Sequence, residues 1–137
     1  DRLLETVGNG VLPYREIADI APVIQSQIQA SEALQAYALD LWAATRKPAD
    51  FGIQIDGADM DQLVLAGASP RGVSMMMRAA RVHAWLEGRG HMIPEDLQGV
   101  FRETIAHRIF LAPVYELRRE QIIEALMDRL LRRVAAP

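Results

Sequence analysis

Apolar residues recur along most of this chain at the three- and four-residue spacing of an α-helix, and few stretches alternate as a half-buried strand does. After Ser31, a residue suited to cap a helix, Leu34, Tyr37, Ala38, Leu41 and Trp42 follow the i, i+3, i+4, i+7 rule and predict a helix ending near Arg46. The longest pattern spans Ser69 to Glu87. Val73, Met76, Met77, Ala80 and Ala84 form one line there, and Met75, Ala79, Val82 and Leu86 widen it, so most of this central helix is expected to be buried. Its methionines suit irregular core packing. Gly88 is placed to end it in a left-handed cap. Pro94, Glu95 and Asp96 then open another helix with negative charge in its first turn, and Leu97, Val100, Phe101 and Ile105 give it an apolar face. A last helix is predicted from about Pro113 to Val134. It turns Leu117, Ile123, Leu126, Met127, Leu130 and Val134 inward and carries Asp128 and Arg132 as an exposed i, i+4 pair.

Two stretches are less regular. Tyr14 to Ile20 reads as a short helix that Pro22 should stop or kink. Lys47 to Ala66 carries Pro48, Gly52, Gly57 and four aspartates, with Ile53, Ile55, Leu63 and Leu65 at alternating spacing. That alternation permits a small hairpin, and a loop with one helical turn is equally compatible. The fold class expected is all-α: a small helical bundle with a minor hairpin or irregular loop between residues 47 and 66.

Composition narrows the range of functions. At 137 residues, 50% hydrophobic and 24% charged, the chain has the size and make-up of one domain with a real core. A net charge of -3 disfavours a general nucleic-acid binder. Zero cysteines exclude a disulfide framework and a thiolate zinc site and fit a reducing compartment. No apolar run approaches the length of a membrane span. Asp56, Asp59 and Asp61 lack the spacing and closing glutamate of a calcium loop and read as solvated carboxylates. His83 and His107 have no neighbours at metal-ligand spacing and read as hydrogen-bonded structural residues, so no metal site is expected.

The candidate chemistry sits in Gly67-Ala68-Ser69-Pro70-Arg71. Ser69 can cap the central helix, Pro70 suits its first turn, and Arg71 leaves from that turn. A guanidinium beside the partly positive N–H groups of a helix start favours an anion such as phosphate. The same five residues also make an ordinary cap with a solvated charge. Arg71, Ser74, Arg78 and Arg81 continue as a polar line at i, i+3, i+7 and i+10. For Arg78 and Arg81, an accessory role at such a site and simple solvation or pairing stand level.

Further motifs follow in order: Arg78-Ala79-Ala80-Arg81, Gly88-Arg89, Ile93-Pro94-Glu95-Asp96-Leu97 and His107-Arg108-Ile109, preceded by Tyr37 and Ala44-Thr45-Arg46. From about Ile28 to Ile109 this series resembles the C-terminal lid of MoxR-type AAA+ ATPases. It departs from the family pattern at Ile93, where Val-Thr is frequent before Pro-Glu-Asp, and at Gly72, where alanine is usual. The resemblance implies a helical lid that closes over ATP, with Arg71 as the sensor arginine, Ser69 and Pro70 forming its helix start, and Arg78 and Arg81 as accessory candidates. It implies ATP and magnesium as cofactors of the full-length protein, a ring-forming homo-oligomer, and chaperone-like remodelling or maturation of client proteins in the cytoplasm.

No Gly-rich loop ending in Lys-Ser or Lys-Thr occurs, nor an apolar strand ending in an acidic dyad. No catalytic residue is therefore expected within this chain, and no tightly bound cofactor; the parent protein would be the ATP hydrolase. Residues 1–12 are expected as a tail from an N-terminal ATPase core, with Asp1 to Thr6 ending a helix that Gly8-Asn9-Gly10 stops, and residues 13–137 as the lid. Expected partners are that core, neighbouring copies and clients, with neither nucleic acid nor a membrane span. The competing reading is a free-standing helical protein-interaction module without nucleotide binding. A helix-turn-helix around Gly88 to Pro94 is opposed by the acidic balance and the apolar central helix.

Overall fold

The computed structural model describes residues 14–137. The expected tail, residues 1–12, lies outside the described residues. The elements are α1 (Tyr14–Gln27), α2 (Glu32–Arg46), β1 (Val64–Ala66), α3 (Pro70–Leu86), α4 (Pro94–Ile105), β2 (Phe110–Leu111) and α5 (Arg119–Arg133). The antiparallel pair α3 and α4 forms the most extensive helix contact, and α2 bridges from α3 to α5. Leu41, Met76, Ala80, Ala84, Leu97, Phe101, Leu126 and Leu130 are fully buried between them. Each large apolar side chain taken out of water there contributes about 1.5–3 kcal/mol.

Helix α2 forms as its pattern predicts. Ser31 Oγ accepts from the Leu34 N–H at 3.2 Å, and Leu34, Tyr37, Ala38 and Leu41 face the core. Helix α4 likewise buries Leu97, Phe101 and Ile105, and α5 carries the Asp128–Arg132 pair at 3.1 Å.

Elsewhere tertiary packing overrides local signals. Pro22 does not end α1, which runs on to Gln27. One missing N–H is outweighed because Ile24 and Ile28 bury themselves and Gln25 Nε2 donates to the Arg78 carbonyl at 3.1 Å, fastening the second half of α1 to α3. Between residues 47 and 66 there is a single 3₁₀ turn, Pro48–Phe51, ended by Gly52 at φ +67°, followed by irregular chain. The strand signal belongs to β1, whose partner is the distant β2, with Val64 opposite Leu111 and Ala66 opposite Phe110. Ile53, Ile55 and Leu63 are buried, whereas Leu65, on the outer side of β1, is largely exposed.

The central helix buries one side only. Gly72, Met76, Ala80 and Ala84 face inward, but Met75, Val82 and Leu86 are exposed. These three lie at i, i+7 and i+11 on a line of their own, and neither α4 nor the α1/α2 side covers it. Residues Pro113–Arg118 form a 3₁₀ segment instead of the start of the last helix. Leu117 is fully exposed, because the buried stripe of α5 begins with Ile122 and Ile123, and a residue five or six positions earlier falls off that stripe.

Candidate functional site

The Gly67–Arg71 turn is built by residues far from it in sequence. Trp42 Nε1, near the end of α2, donates to the Ala68 carbonyl at 2.6 Å, and Arg46 Nη1 reaches the same oxygen at 3.5 Å. The Arg46 guanidinium lies over the Trp42 ring, 5.4 Å from its centroid. Thr45, fully buried, donates to the Trp42 carbonyl at 2.6 Å. Position 67 must be glycine for this approach, since a Cβ there would lie 2.7 Å from Arg46 Cγ and 3.0 Å from Arg46 Cα. Below the turn, Ala68 is buried, and a Cβ at Gly72 would stand 3.1 Å from Ala68 Cβ and 3.4 Å from both Ile105 Cδ1 and Arg108 Cδ. Gly72 thus lets the first turn of α3 settle onto the end of α4. The structure brings Ala44-Thr45-Arg46, Gly67-Ala68-Ser69-Pro70-Arg71 and Arg108 to one place.

Ser69 occupies the cap position of α3 with extended backbone, φ -72° and ψ 166°, but its side chain accepts no hydrogen bond. The expected side-chain cap is replaced by a backbone one, in which the Ser69 carbonyl accepts from the Gly72 N–H at 2.7 Å. Arg71 is exposed and has no hydrogen-bond or ion-pair partner among the described residues. A rigid turn therefore carries a guanidinium that no described residue engages.

Arg78 and Arg81 stand about 10 and 15 Å further along the helix axis. Arg81 Nε donates to the Ile28 carbonyl at 3.3 Å, and the Arg78 carbonyl takes Gln25. Both side chains face α1 and α2, so the three arginines do not converge on one point.

At the opposite end of α3, Gly88 at φ +72° closes the helix. The Arg89 N–H donates to the Ala84 carbonyl and the Gly88 N–H to that of Trp85, each at 2.9 Å. Arg89 then grips Asp96 through both nitrogens at 2.6 Å. The same carboxylate accepts from the Ile93 N–H at 2.8 Å and from His83 Nδ1 at 2.7 Å, which therefore carries the ring proton. Asp96 is completely buried. Burial pushes its carboxyl up, but the bonds from Arg89, Ile93 and His83 outweigh that and hold it at about 2. The sequence marked Asp96 only as a first-turn acid; its position three residues after the cap was the available sign of a larger role. His83 is the structural histidine expected. His107 is not, being exposed with no hydrogen-bond partner among the described residues.

Among the described residues no cluster of His, Asp or Glu is arranged to hold a metal, and no helix is long and apolar enough to cross a membrane. Asp59 Oδ1 accepts from the Asp61 N–H at 3.1 Å, and the Asp59 N–H donates to Tyr115 Oη at 2.8 Å, so this acidic loop is tied by its own turn and by the segment before α5.

Comparison with known proteins places these features. The family model described as the AAA lid domain matches residues 58–128. The chain is 51% identical to Protein MoxR of Methylorubrum extorquens over 137 residues, covering 100% of this chain and 40% of that protein. It is 35% identical over 106 residues to Chaperone MoxR1 of Mycobacterium tuberculosis, covering 77% of this chain and 26% of the other. A solved structure from Cytophaga hutchinsonii, described as a candidate ATPase, superposes with a TM-score of 0.70 at 31% identity, over 83% of this chain and 33% of that one. The chain spans well under half the length of the curated relatives it matches.

Proposed function

The chain belongs to the AAA lid domain family and is a lid of the MoxR type, and from that premise we propose that it closes over ATP held by an adjoining ATPase core, with Arg71 reading the γ-phosphate. When bound, ATP with its magnesium ion supplies the triphosphate and the reacting phosphoryl group. The residues of this chain fit one wall of such a site. Arg71 offers a planar two-pronged donor, and its own backbone N–H in the first turn of α3 is left without a side-chain cap. They do not fit a whole site, because a phosphate loop and magnesium ligands have no counterpart in the sequence.

The observation that carries this reading is an exposed guanidinium, without a partner among the described residues, on a turn clamped by Trp42, Arg46 and the end of α4. A clamped turn moves with the domain, so the lid swings as a rigid body and Arg71 arrives at the phosphate with it. Trp42 and Arg46 position the turn; they touch no phosphate. Arg78 and Arg81 are too far along the helix to share that contact. In the full-length protein, a ring-forming homo-oligomer of the cytoplasm, lid motion couples hydrolysis to remodelling or maturation of client proteins, in line with the word chaperone in the name of the Mycobacterium relative.

The test is steady-state ATP hydrolysis by the full-length protein. Arg71→Ala should lower turnover by roughly a hundredfold, the equivalent of 2–4 kcal/mol of lost transition-state stabilisation. Arg71→Lys should recover only part of it, since a point charge lacks the fork. Unchanged turnover in Arg71→Ala removes the sensor role.

A further inference from the structure

Two clefts lie side by side along α3, and Arg78 and Arg81 line both. One, about 390 Å³, opens against α2 between Leu39 and Met77. The other, about 680 Å³, opens against α1 over Ala21 and Pro22. Their walls mix apolar and polar side chains, and Leu39 is half exposed there. Among the described residues no carboxylate lines either cleft. Arg89, Arg102, Arg119 and Arg132 each have a carboxylate partner. Arg78 has none among the described residues, and Arg81 is engaged only through Nε with the Ile28 carbonyl. A chain of net charge -3 thus places two arginines without a carboxylate partner among the described residues in one partly apolar groove. Gln25 stands in the same groove, and its Oε1 has no hydrogen-bond donor among the described residues.

We propose that this groove docks an acidic amphipathic segment of another protein chain. Arg78 and Arg81 lie one helical turn apart, so they would pair with two carboxylates at similar spacing, while apolar side chains of the partner fill the clefts on either side. The apolar walls supply contact area and the two charges set orientation and encounter rate. A free phosphate would leave those walls uncovered. Nucleic acid is disfavoured by the net negative charge of the chain. The proposal uses neither Arg71 nor nucleotide and stands apart from the lid reading.

The experiment is fluorescence anisotropy on the full-length protein with a labelled amphipathic peptide carrying two glutamates one turn apart and flanking leucines, against the same peptide with lysines in their place. The glutamate peptide should bind at least about tenfold more tightly. Arg78→Glu should weaken it by a similar factor and improve binding of the lysine peptide. Arg81→Gln should weaken it less, and Arg71→Ala should leave it unchanged. Circular dichroism melts confirm that each variant is folded. Absence of binding by the glutamate peptide, equal binding of the two peptides, or indifference to Arg78→Glu overturns the proposal. Displacement of the peptide by inorganic phosphate or a short DNA duplex also overturns it, as does an Arg78-dependent dimer of the protein itself, since each assigns the groove to a different occupant. Loss of turnover in Arg71→Ala with intact peptide binding separates this result from the fate of the lid reading.

Discussion

The two ends of the central helix carry the same residue type to opposite purposes. At the C-terminal end, Arg89 is locked to a buried carboxylate that also collects His83 and the Ile93 N–H. At the N-terminal end, Arg71 projects from a turn just as firmly held, yet nothing within the described domain receives it. In both places the backbone is fixed from a distance, by α2 for the first turn and by α4 for the last. The difference lies in where the charge goes. An arginine that completes its bonds inside the fold stabilises the fold, and one without a partner among the described residues contributes little to it.

That contrast breaks most easily at Asp96. Asp96→Ala leaves the partly exposed Arg89 and the Ile93 N–H without their shared buried acceptor, and it should cost about 2–3 kcal/mol in chemical unfolding. A loss below about 1 kcal/mol would rank the cluster with ordinary surface pairs and erase the distinction.

Acid sharpens the same point. Asp96 is held at about 2 against an ordinary 3.8, so its contribution is complete above about pH 4 and is lost as pH falls through 2. The folded domain should lose about 2 kcal/mol across that window, on top of the general acid effect, and Asp96→Ala should lose this component. Parallel acid titrations of parent and variant would refute the assignment.

At the other end, Gly67→Ala forces a Cβ against the Arg46 backbone and should destabilise by about 1–3 kcal/mol, measured by thermal melting. The smallest effect is expected where the contrast is most pointed. Arg71→Ala should change unfolding free energy by less than about 0.5 kcal/mol, because an exposed, unpartnered side chain has little to lose. A larger drop would mean that Arg71 serves the fold after all.

How far the sequence foretold this depends on whether a signal was local. The stripes of α2 and α4, the Ser31 cap and the Gly88 terminus depend on neighbours within a turn or two, and each is found where its pattern sets it. The β1–β2 pairing joins residues more than forty positions apart, and strands of three and two residues carry too few alternations to name a partner. Pro22 misleads because α3 holds α1 together, and Leu117 because its segment winds as a 3₁₀ turn. At the candidate site the motif order located Arg71, but composition could not reveal that Trp42 and Arg46 clamp its turn. The hub at Asp96 draws on positions 83, 89 and 93, and no single spacing encodes a meeting of three.

The bond from Trp42 to Ala68 also gives the molecule a built-in optical label. The chain has two tryptophans, and they mark the two ends just compared: Trp42, partly buried, with its indole N–H bound to the turn beneath Arg71 and a guanidinium over its ring, and Trp85, nearly half exposed in the last turn of α3. With Trp85 replaced by phenylalanine, the chain's remaining tryptophan is one whose colour and brightness depend on the strap beneath Arg71. Its fluorescence registers slackening of that strap directly, without an attached dye.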